Sequence, residues 1–432
     1  MSETVPFSDQ LRPAVMRRAF LRGGAVALAT GAGAALALPG QAEASTASAA
    51  AVKFGTSATR YWATRTPLTA PVPPALRSQQ ALTGAGPEQA STVPLTQGGT
   101  TYDMAQEVTW LDSEHFAVGR WDGSLSIFAF ESAQYTGPLI TTAVNTPAEE
   151  GVQMITRLPA CAVVTSNDDA SLGLWVAPAG QWADLRLART VSYGSSLGVA
   201  TSGTWLSAGS PSTLVVGHDS GFVSLWSYNP ANRALIFSKS VNLQNPNPVN
   251  PFDSHVIYGM ATLTPGPSGV VVAGSDDGYV SLIAVPSGNI LSQTVFNPSA
   301  QRGINSVSVQ GNRLLVSNCS VGPDDYNLWY YSIQTAPWGV TLLDKTNLII
   351  DTQRAQVFDF DAIWGSYASG PCWFASTEEG VLWMGTADTG IDVIGYQDLS
   401  DRAVGAALAY TNGPGRLAVV IDDLNQFSTG AS

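Results

Sequence analysis

The sequence predicts an all-β fold of repeated sheets, and three observations carry that expectation. The first is composition: 12% of the 432 residues are charged, 42 are Gly, 12 are Trp and 13 are Tyr. Few charges and many glycines suit short strands joined by tight turns. The second is a recurring hairpin. In Val271-Val272-Ala273-Gly274-Ser275-Asp276-Asp277-Gly278-Tyr279-Val280-Ser281-Leu282 an apolar strand ends at Gly, an acidic turn follows, and an alternating strand leaves it. The same order runs from Phe116 to Ile127 and from Leu214 to Trp226. The third is period. Aligned on the turn, the unit recurs at Asp122, Asp169, Ser220, Asp277, Asp325, Glu379 and Asp423, with spacings of 44 to 57 residues. A repeat of roughly 40–50 residues built on such hairpins is the signature of propeller blades. The expected fold is a seven-bladed β-propeller of four-stranded antiparallel blades.

Each part of the unit has a physical reason. A short carboxylate hydrogen-bonds backbone N–H groups two residues on and holds a tight turn. The Gly that follows, at Gly123, Gly221, Gly278 and Gly380, supplies the positive φ a hairpin turn asks for. Apolar residues then fall at alternate positions: Leu125 and Ile127, Leu172 and Leu174, Val223 and Leu225, Val280 and Leu282, Leu328 and Tyr330, Leu382 and Met384. Period two means a strand. One sheet cannot bury both faces alone, so neighbouring blades cover each other around an axis. Only nine residues follow Asp423. The last blade therefore lacks its outer strand, and an N-terminal strand between Val52 and Leu95 is expected to supply it. Val52-Lys53-Phe54 and Tyr61-Trp62 are the candidates there; Gly84 to Thr100, rich in Gly, Pro, Ser and Thr, reads as loop.

From about residue 100 onward the unit resembles the WD-repeat propellers, whose blade core runs apolar-Gly-Ser-x-Asp-Gly-x-apolar-x-apolar-Trp. Trp175 and Trp226 stand at that Trp position, but Val176 and Ser227 follow where the family has Asp, and no Gly-His pair opens the blades. Pro286-Ser287-Gly288-Asn289-Ile290-Leu291 is similar to quinoprotein-type repeats. Only one unit carries that tail, which disfavours a quinone-dependent dehydrogenase.

The N-terminus reads as an address. Arg17-Arg18-Ala19-Phe20-Leu21 precedes an apolar run from Ala25 to Leu38, then Ala42-Glu43-Ala44. The run is too short to span a bilayer and remain there. The segment resembles twin-arginine export signals. That resemblance implies folding before export, cleavage after Ala44, and a mature protein in the periplasm or outside a bacterial cell. The expected organisation is residues 1–44 as signal, 45–100 as an extension holding the closing strand, and 101–432 as the propeller.

Charge and residue counts narrow the chemistry. The net charge is −13, and no basic stripe follows the strands, which excludes phosphate tracking on nucleic acid. An acidic surface also disfavours anionic lipid, and the mature chain is expected to be a monomer with no membrane span. Cys161, Cys319 and Cys372 make no disulfide framework and read as small buried hydrophobes. Three histidines, His115, His218 and His255, are too few for the clustered ligands of copper or haem propellers. Gly194-Ser195-Ser196-Leu197-Gly198 matches Gly-x-Ser-x-Gly by letter, but it reads as a loop rather than a strand-to-helix elbow. The cofactor is left open.

Propellers bind at one mouth of the axial channel, where loops enter the innermost strand of each blade. Those entries contribute Glu107, Glu150, Tyr193, Arg302, Asp359 and Arg402 as candidate ligand-binding residues, and Asp253 with His255 as a candidate carboxylate-oriented base. The expected function is a scaffold that binds a small polar molecule or a protein partner at this mouth. The alternative is a hydrolase or lyase at the same mouth with His255 as the base. Asn245 to Phe252, rich in Pro and Asn, is the expected recognition loop.

Overall fold

The computed structural model describes residues 88–93, 105–120, 123–130, 138–144, 151–207, 213–245, 255–263, 269–296, 303–318, 326–348, 360–367, 370–377, 381–398, 407–411, 415–421 and 423–428. The signal segment, Val52–Phe54, Tyr61–Trp62, Asp325, Glu379 and Cys319 lie outside them. Strand β1 is Glu88–Val93. Six sheets follow, each made of four consecutive antiparallel strands. The first holds β2 (Ala105–Trp110), β3 (His115–Arg120), β4 (Ser124–Ala129) and β5 (Ile140–Ala143). The second holds β6 (Ile155–Leu158), β7 (Ala162–Asn167), β8 (Ser171–Val176) and β9 (Arg186–Ser192). The third holds β10 (Ala200–Leu206), β11 (Thr213–His218), β12 (Phe222–Asn229) and β13 (Ala234–Asn242). The fourth holds β14 (Ile257–Thr262), β15 (Val270–Ser275), β16 (Tyr279–Ala284) and β17 (Ile290–Val295). The fifth holds β18 (Ile304–Gln310), β19 (Arg313–Asn318), β20 (Leu328–Thr335) and β21 (Trp338–Thr346). The sixth holds β22 (Phe360–Tyr367), β23 (Gly370–Thr377), β24 (Val381–Ala387) and β25 (Ile391–Asp398).

A further sheet is assembled from both ends of the chain, in the order β1, β28 (Asp423–Ser428), β27 (Arg416–Ile421), β26 (Ala407–Thr411). In it β1 pairs antiparallel with β28, from Glu88 opposite Ser428 to Val93 opposite Leu424. The closing strand thus comes from the stretch Gly84 to Thr100, which composition alone reads as loop. The first strand of each sheet packs against the first strand of the next, and β26 packs against both β22 and β2. The join to the first sheet is specific. Trp110 Nε1 donates to the Ala409 carbonyl at 3.0 Å, and Arg416 reaches Glu114 at 2.7 Å. The Arg416 guanidinium also lies 4.3 Å from the Phe130 ring centre. The chain is a β-propeller of four-stranded antiparallel blades.

The Gly next to the end of the second strand is explained by the next blade. A Cβ on Gly217 would sit 2.6 Å from Ile257 Cγ2, and one on Gly274 would sit 2.5 Å from Ile304 Cγ2. On Gly119 it would meet the Val152 carbonyl at 2.8 Å. Where the equivalent residue is Ser317, its hydroxyl donates to the Phe360 carbonyl of the next inner strand at 3.1 Å. Inner strands are further laced by hydroxyls. Ser202 donates to the Ile257 carbonyl at 2.6 Å, and Ser308 accepts from the Trp364 N–H at 3.0 Å. Gly274→Leu is expected to cost about 1–3 kcal/mol through overpacking. A urea midpoint equal to that of the parent would show instead that Ile304 moves aside freely.

Between the inner strands the blades bury apolar side chains from both facing sheets. One such layer holds Leu172, Leu174, Leu214, Val216 and Trp226, all fully buried. Trp226, Trp329 and Trp373 are among the largest buried side chains, and each indole N–H has a partner: Ser224 Oγ, Asn318 Oδ1 and the Thr386 carbonyl. Burial pushes the Tyr331 hydroxyl above its ordinary range while it donates to the Phe296 carbonyl at 2.6 Å. The Cys372 thiol, likewise buried, is pushed up to about 12 and is inert at neutral pH. Cys161 is partly buried, and neither cysteine is bridged.

Candidate functional site

Strands alternate in direction, so the turns from second to third strand and the entries to the first strand share one face. This is the mouth. Its turns are built as their residues demand. Gly123, Gly221 and Gly278 all have positive φ, at 79°, 81° and 85°. The turn carboxylates then hold the entry loops. Asp219, buried, accepts the Val199 N–H at 3.0 Å, and the Asp219 N–H returns a bond to the Val199 carbonyl at 3.0 Å. Ser220 donates to the Leu197 carbonyl. One blade on, Asp277 accepts the Asn245 N–H at 2.9 Å and the Ser275 hydroxyl, and meets His255 Nδ1 at 3.2 Å.

These contacts also run from blade to blade. A Cβ on Gly221 would meet His255 Cβ at 2.7 Å, and one on Gly303 would meet Asp276 Oδ1 at 2.0 Å. The Val152 N–H donates to the Arg120 carbonyl at 3.1 Å. At three described junctions the turn therefore abuts the next entry, and these mouth loops interlock. Four inner strands also carry a β-bulge at their first turn: between Ala105 and Glu107, Ala200 and Ser202, Ile257 and Gly259, and Ile304 and Ser306. A bulge inserts an extra residue and re-aims its side chain, and bulges concentrate at functional rims. The extra residues include Thr201, Tyr258 and Asn305. Sequence reasoning missed these positions, because a bulge leaves no mark in an apolar–polar pattern unless the partner strand is known.

The predicted residues are placed as follows. Glu107 lies in β2, part-buried, directly after the first bulge. Tyr193 stands at the entry to β10, but its hydroxyl donates to the Gly198 carbonyl at 2.9 Å and its ring packs edge-on against His218 and Trp226. It is a wedge that shapes the entry loop. His255 is paired with Asp277, a residue 1% exposed, and is itself 18% exposed. Its sequence-assigned partner Asp253 lies outside the described residues, as do Glu150, Arg302, Asp359, Arg402 and most of Asn245–Phe252. Their described neighbours His255, Gly303 and Phe360 all stand at entries on the mouth face. With the Asp277 contact in place, His255 bonds the turn of its own blade. His255→Ala removes one partner of a buried carboxylate and is expected to cost about 1–2 kcal/mol, read as a lowered melting temperature. An unchanged melting temperature would remove His255 from the turn network.

Gly194 to Gly198 is a loop, with a 3-10 turn over Ser195–Leu197 and positive φ at Gly194 and Gly198. His218 ends β11 fully buried, its Nε2 2.7 Å from Ser224 Oγ. Burial pulls its pKa down to about 4, opposed only in part by the nearby Gly198 backbone. His115 lies on the opposite face and bonds Asp112 at 2.9 Å. Burial works to raise the Asp112 carboxyl, but bonds from the Glu114 backbone, Trp182 and His115 hold it below its ordinary value. Among the described residues no cluster of three His, Cys, Asp or Glu side chains is arranged to hold a metal ion, and no helix is long and apolar enough to cross a membrane.

No family model matches the sequence, and no curated protein does. Among solved structures the chain is similar to the β-propeller domain of Cps50 (Swd1) from Myceliophteria thermophila. The TM-score is 0.55 at 13% identity, covering 75% of this chain and 97% of that one. At that identity the likeness concerns the fold alone.

Proposed function

We propose that the chain is an exported, seven-bladed propeller that acts as a binding scaffold, taking a small polar molecule or a protein partner at its mouth. The sheet made from both chain ends, seated between β22 and β2, supports a seventh blade. Met16 to Leu21 and the apolar run behind it support twin-arginine export. The observation that carries the binding role is the interlocked rim. Asp219, Asp277, Gly221 and Gly303 fix consecutive entry loops against one another, and bulges lie beside them at the start of the inner strands. A site held this way needs no ordering on binding, which is what affinity for a small ligand requires.

The acids Glu107 and Asp361, both part-buried near the start of their inner strands, favour a ligand with cationic or hydroxyl groups. Arg302, Asp359 and Arg402 remain candidates for the ligand from sequence alone. The test is native mass spectrometry of protein purified from its own culture fluid or periplasm. A co-purifying ligand should be lost, at least about tenfold, from a Glu107→Gln, Asp361→Asn double variant. Retention of that ligand at full occupancy would move the site off the mouth. Export is tested separately: Arg17→Lys with Arg18→Lys should leave the precursor inside the cell, and continued secretion would overturn the export reading.

A further inference from the structure

We propose that the entry loop Tyr193–Val199 is a proton-gated element of the mouth, latched shut by neutral His218 and released when that imidazole takes a second proton. This rests on the mouth being the binding face and assigns it a means of regulation. The geometry is a chain of contacts in which each member fixes the next. Trp226 Nε1 donates to Ser224 Oγ at 2.8 Å, and that oxygen lies 2.7 Å from His218 Nε2, while the buried His218 Nδ1 meets no partner in hydrogen-bond geometry. The pocket therefore satisfies one polar edge of the ring and suits a neutral imidazole.

The ring in turn seats Tyr193, whose centroid is 5.0 Å away, edge-on. Tyr193 holds the Gly198 carbonyl, and Val199 is clasped by both polar groups of Asp219. Gly198 has φ 72°, and a Cβ there would meet Asp219 Oδ1, so the loop fits only while the His218–Asp219–Ser220 turn stays in place. Ser195 and Ser196 ride on this loop, exposed at the mouth.

Protonation acts on the chain at its centre. A doubly protonated ring has donors at both nitrogens: Nε2 keeps Ser224 Oγ, but Nδ1 carries a buried proton with no acceptor in hydrogen-bond geometry. The groups packed on His218 offer little to the new charge. Among the described residues these are Ser224 from β12, Ala200 opposite His218 in β10, and Tyr193 with the Gly198 backbone from the entry loop, none of them a carboxylate. Asp219, next in the chain, has its Oδ1 engaged with Val199. The adjoining entry of the next blade brings His255 against Gly221, already paired with Asp277. The lower-energy response is for the loop to lift and hydrate the ring.

The experiment is amide hydrogen exchange on the mature protein without ligand, at pH 7 and pH 4.5, corrected for intrinsic rates. Opening that exposes His218 to water at its ordinary pKa should raise exchange at Val199 and Asp219 about 50-fold between those pH values. Asp276, whose N–H bonds the Val256 carbonyl at the equivalent place in the next blade, should change much less. In His218→Gln the pH response at Val199 should vanish. Three results would overturn the proposal: no excess exchange at Val199, an equal rise at Asp276, or an undiminished response in the variant. The wild-type comparison of Val199 with Asp276 decides the matter even if the variant does not fold. It involves no ligand, so its failure leaves the binding role standing, and failure to find a ligand leaves the latch standing.

Discussion

Deleting residues 45–93 is expected to remove several kcal/mol of stability and to abolish a single cooperative melt. The reason lies in the ladder between β1 and β28, which runs from Glu88 opposite Ser428 to Val93 opposite Leu424. A backbone hydrogen bond contributes a net of roughly 0.5–1.5 kcal/mol, so losing this ladder removes a large share of the roughly 5–15 kcal/mol that holds a domain together. The damage spreads because the sheet is a keystone. Without β1, β28 becomes an unpaired edge, a template for association with other chains. The Trp110–Ala409 bond and the Arg416–Glu114 pair then anchor the first blade to a sheet of three strands. A shorter deletion of residues 45–84 leaves β1 intact and should melt like the mature protein. Equal melting temperatures for the two deletions would show that the ring does not depend on β1.

How far the sequence announces this architecture depends on which residues are asked. The turn glycines were legible because only a positive φ suits them, and Gly123, Gly221 and Gly278 have it. The alternation in Val223–Leu225 and Val280–Leu282 was legible because two neighbouring blades cover those strands. Strand β1, Glu-Gln-Ala-Ser-Thr-Val, was not. Its residues are small and polar, and what makes it a strand is the waiting edge of β28, more than 300 positions away. Of the site, the partner of His255 was illegible for a related reason. Proximity in sequence pairs His255 with Asp253, whereas the hairpin between β15 and β16 folds Asp277 back over it from 22 residues downstream. Tyr193 also packs on His218 and Trp226 and bonds the Gly198 carbonyl, a structural role that its place at a loop entry does not announce. Polar residues at loop entries advertise both roles alike, and only the partner decides between them.

Stability should fall as the pH drops from 7 to 4, by about 3 kcal/mol, chiefly through His218. The sign follows from where the proton goes. In the unfolded chain the imidazole titrates at its ordinary value of 6.5, while in the fold burial pulls it down to about 4. Above pH 6.5 neither state is protonated there, and His218 imposes no pH dependence. Between the two values the unfolded state binds a proton that the folded state refuses, so each pH unit removes about 1.4 kcal/mol. Near pH 4 both states are protonated and the loss levels off. Asp112 acts in the same direction but lower. Its folded pKa lies below the ordinary 3.8, so the stability it contributes is present above that value and fades only as the pH falls through its folded one. The two groups thus predict successive losses rather than one. Urea melts at half-unit steps from pH 7 to 4 would trace the first. In His218→Gln, where Ser224 keeps a hydrogen-bonding neighbour that cannot titrate, the curve should be flat over the same range. A wild-type curve already flat there, or a variant curve with the same slope, would assign the pH dependence to other groups and leave His218 a spectator.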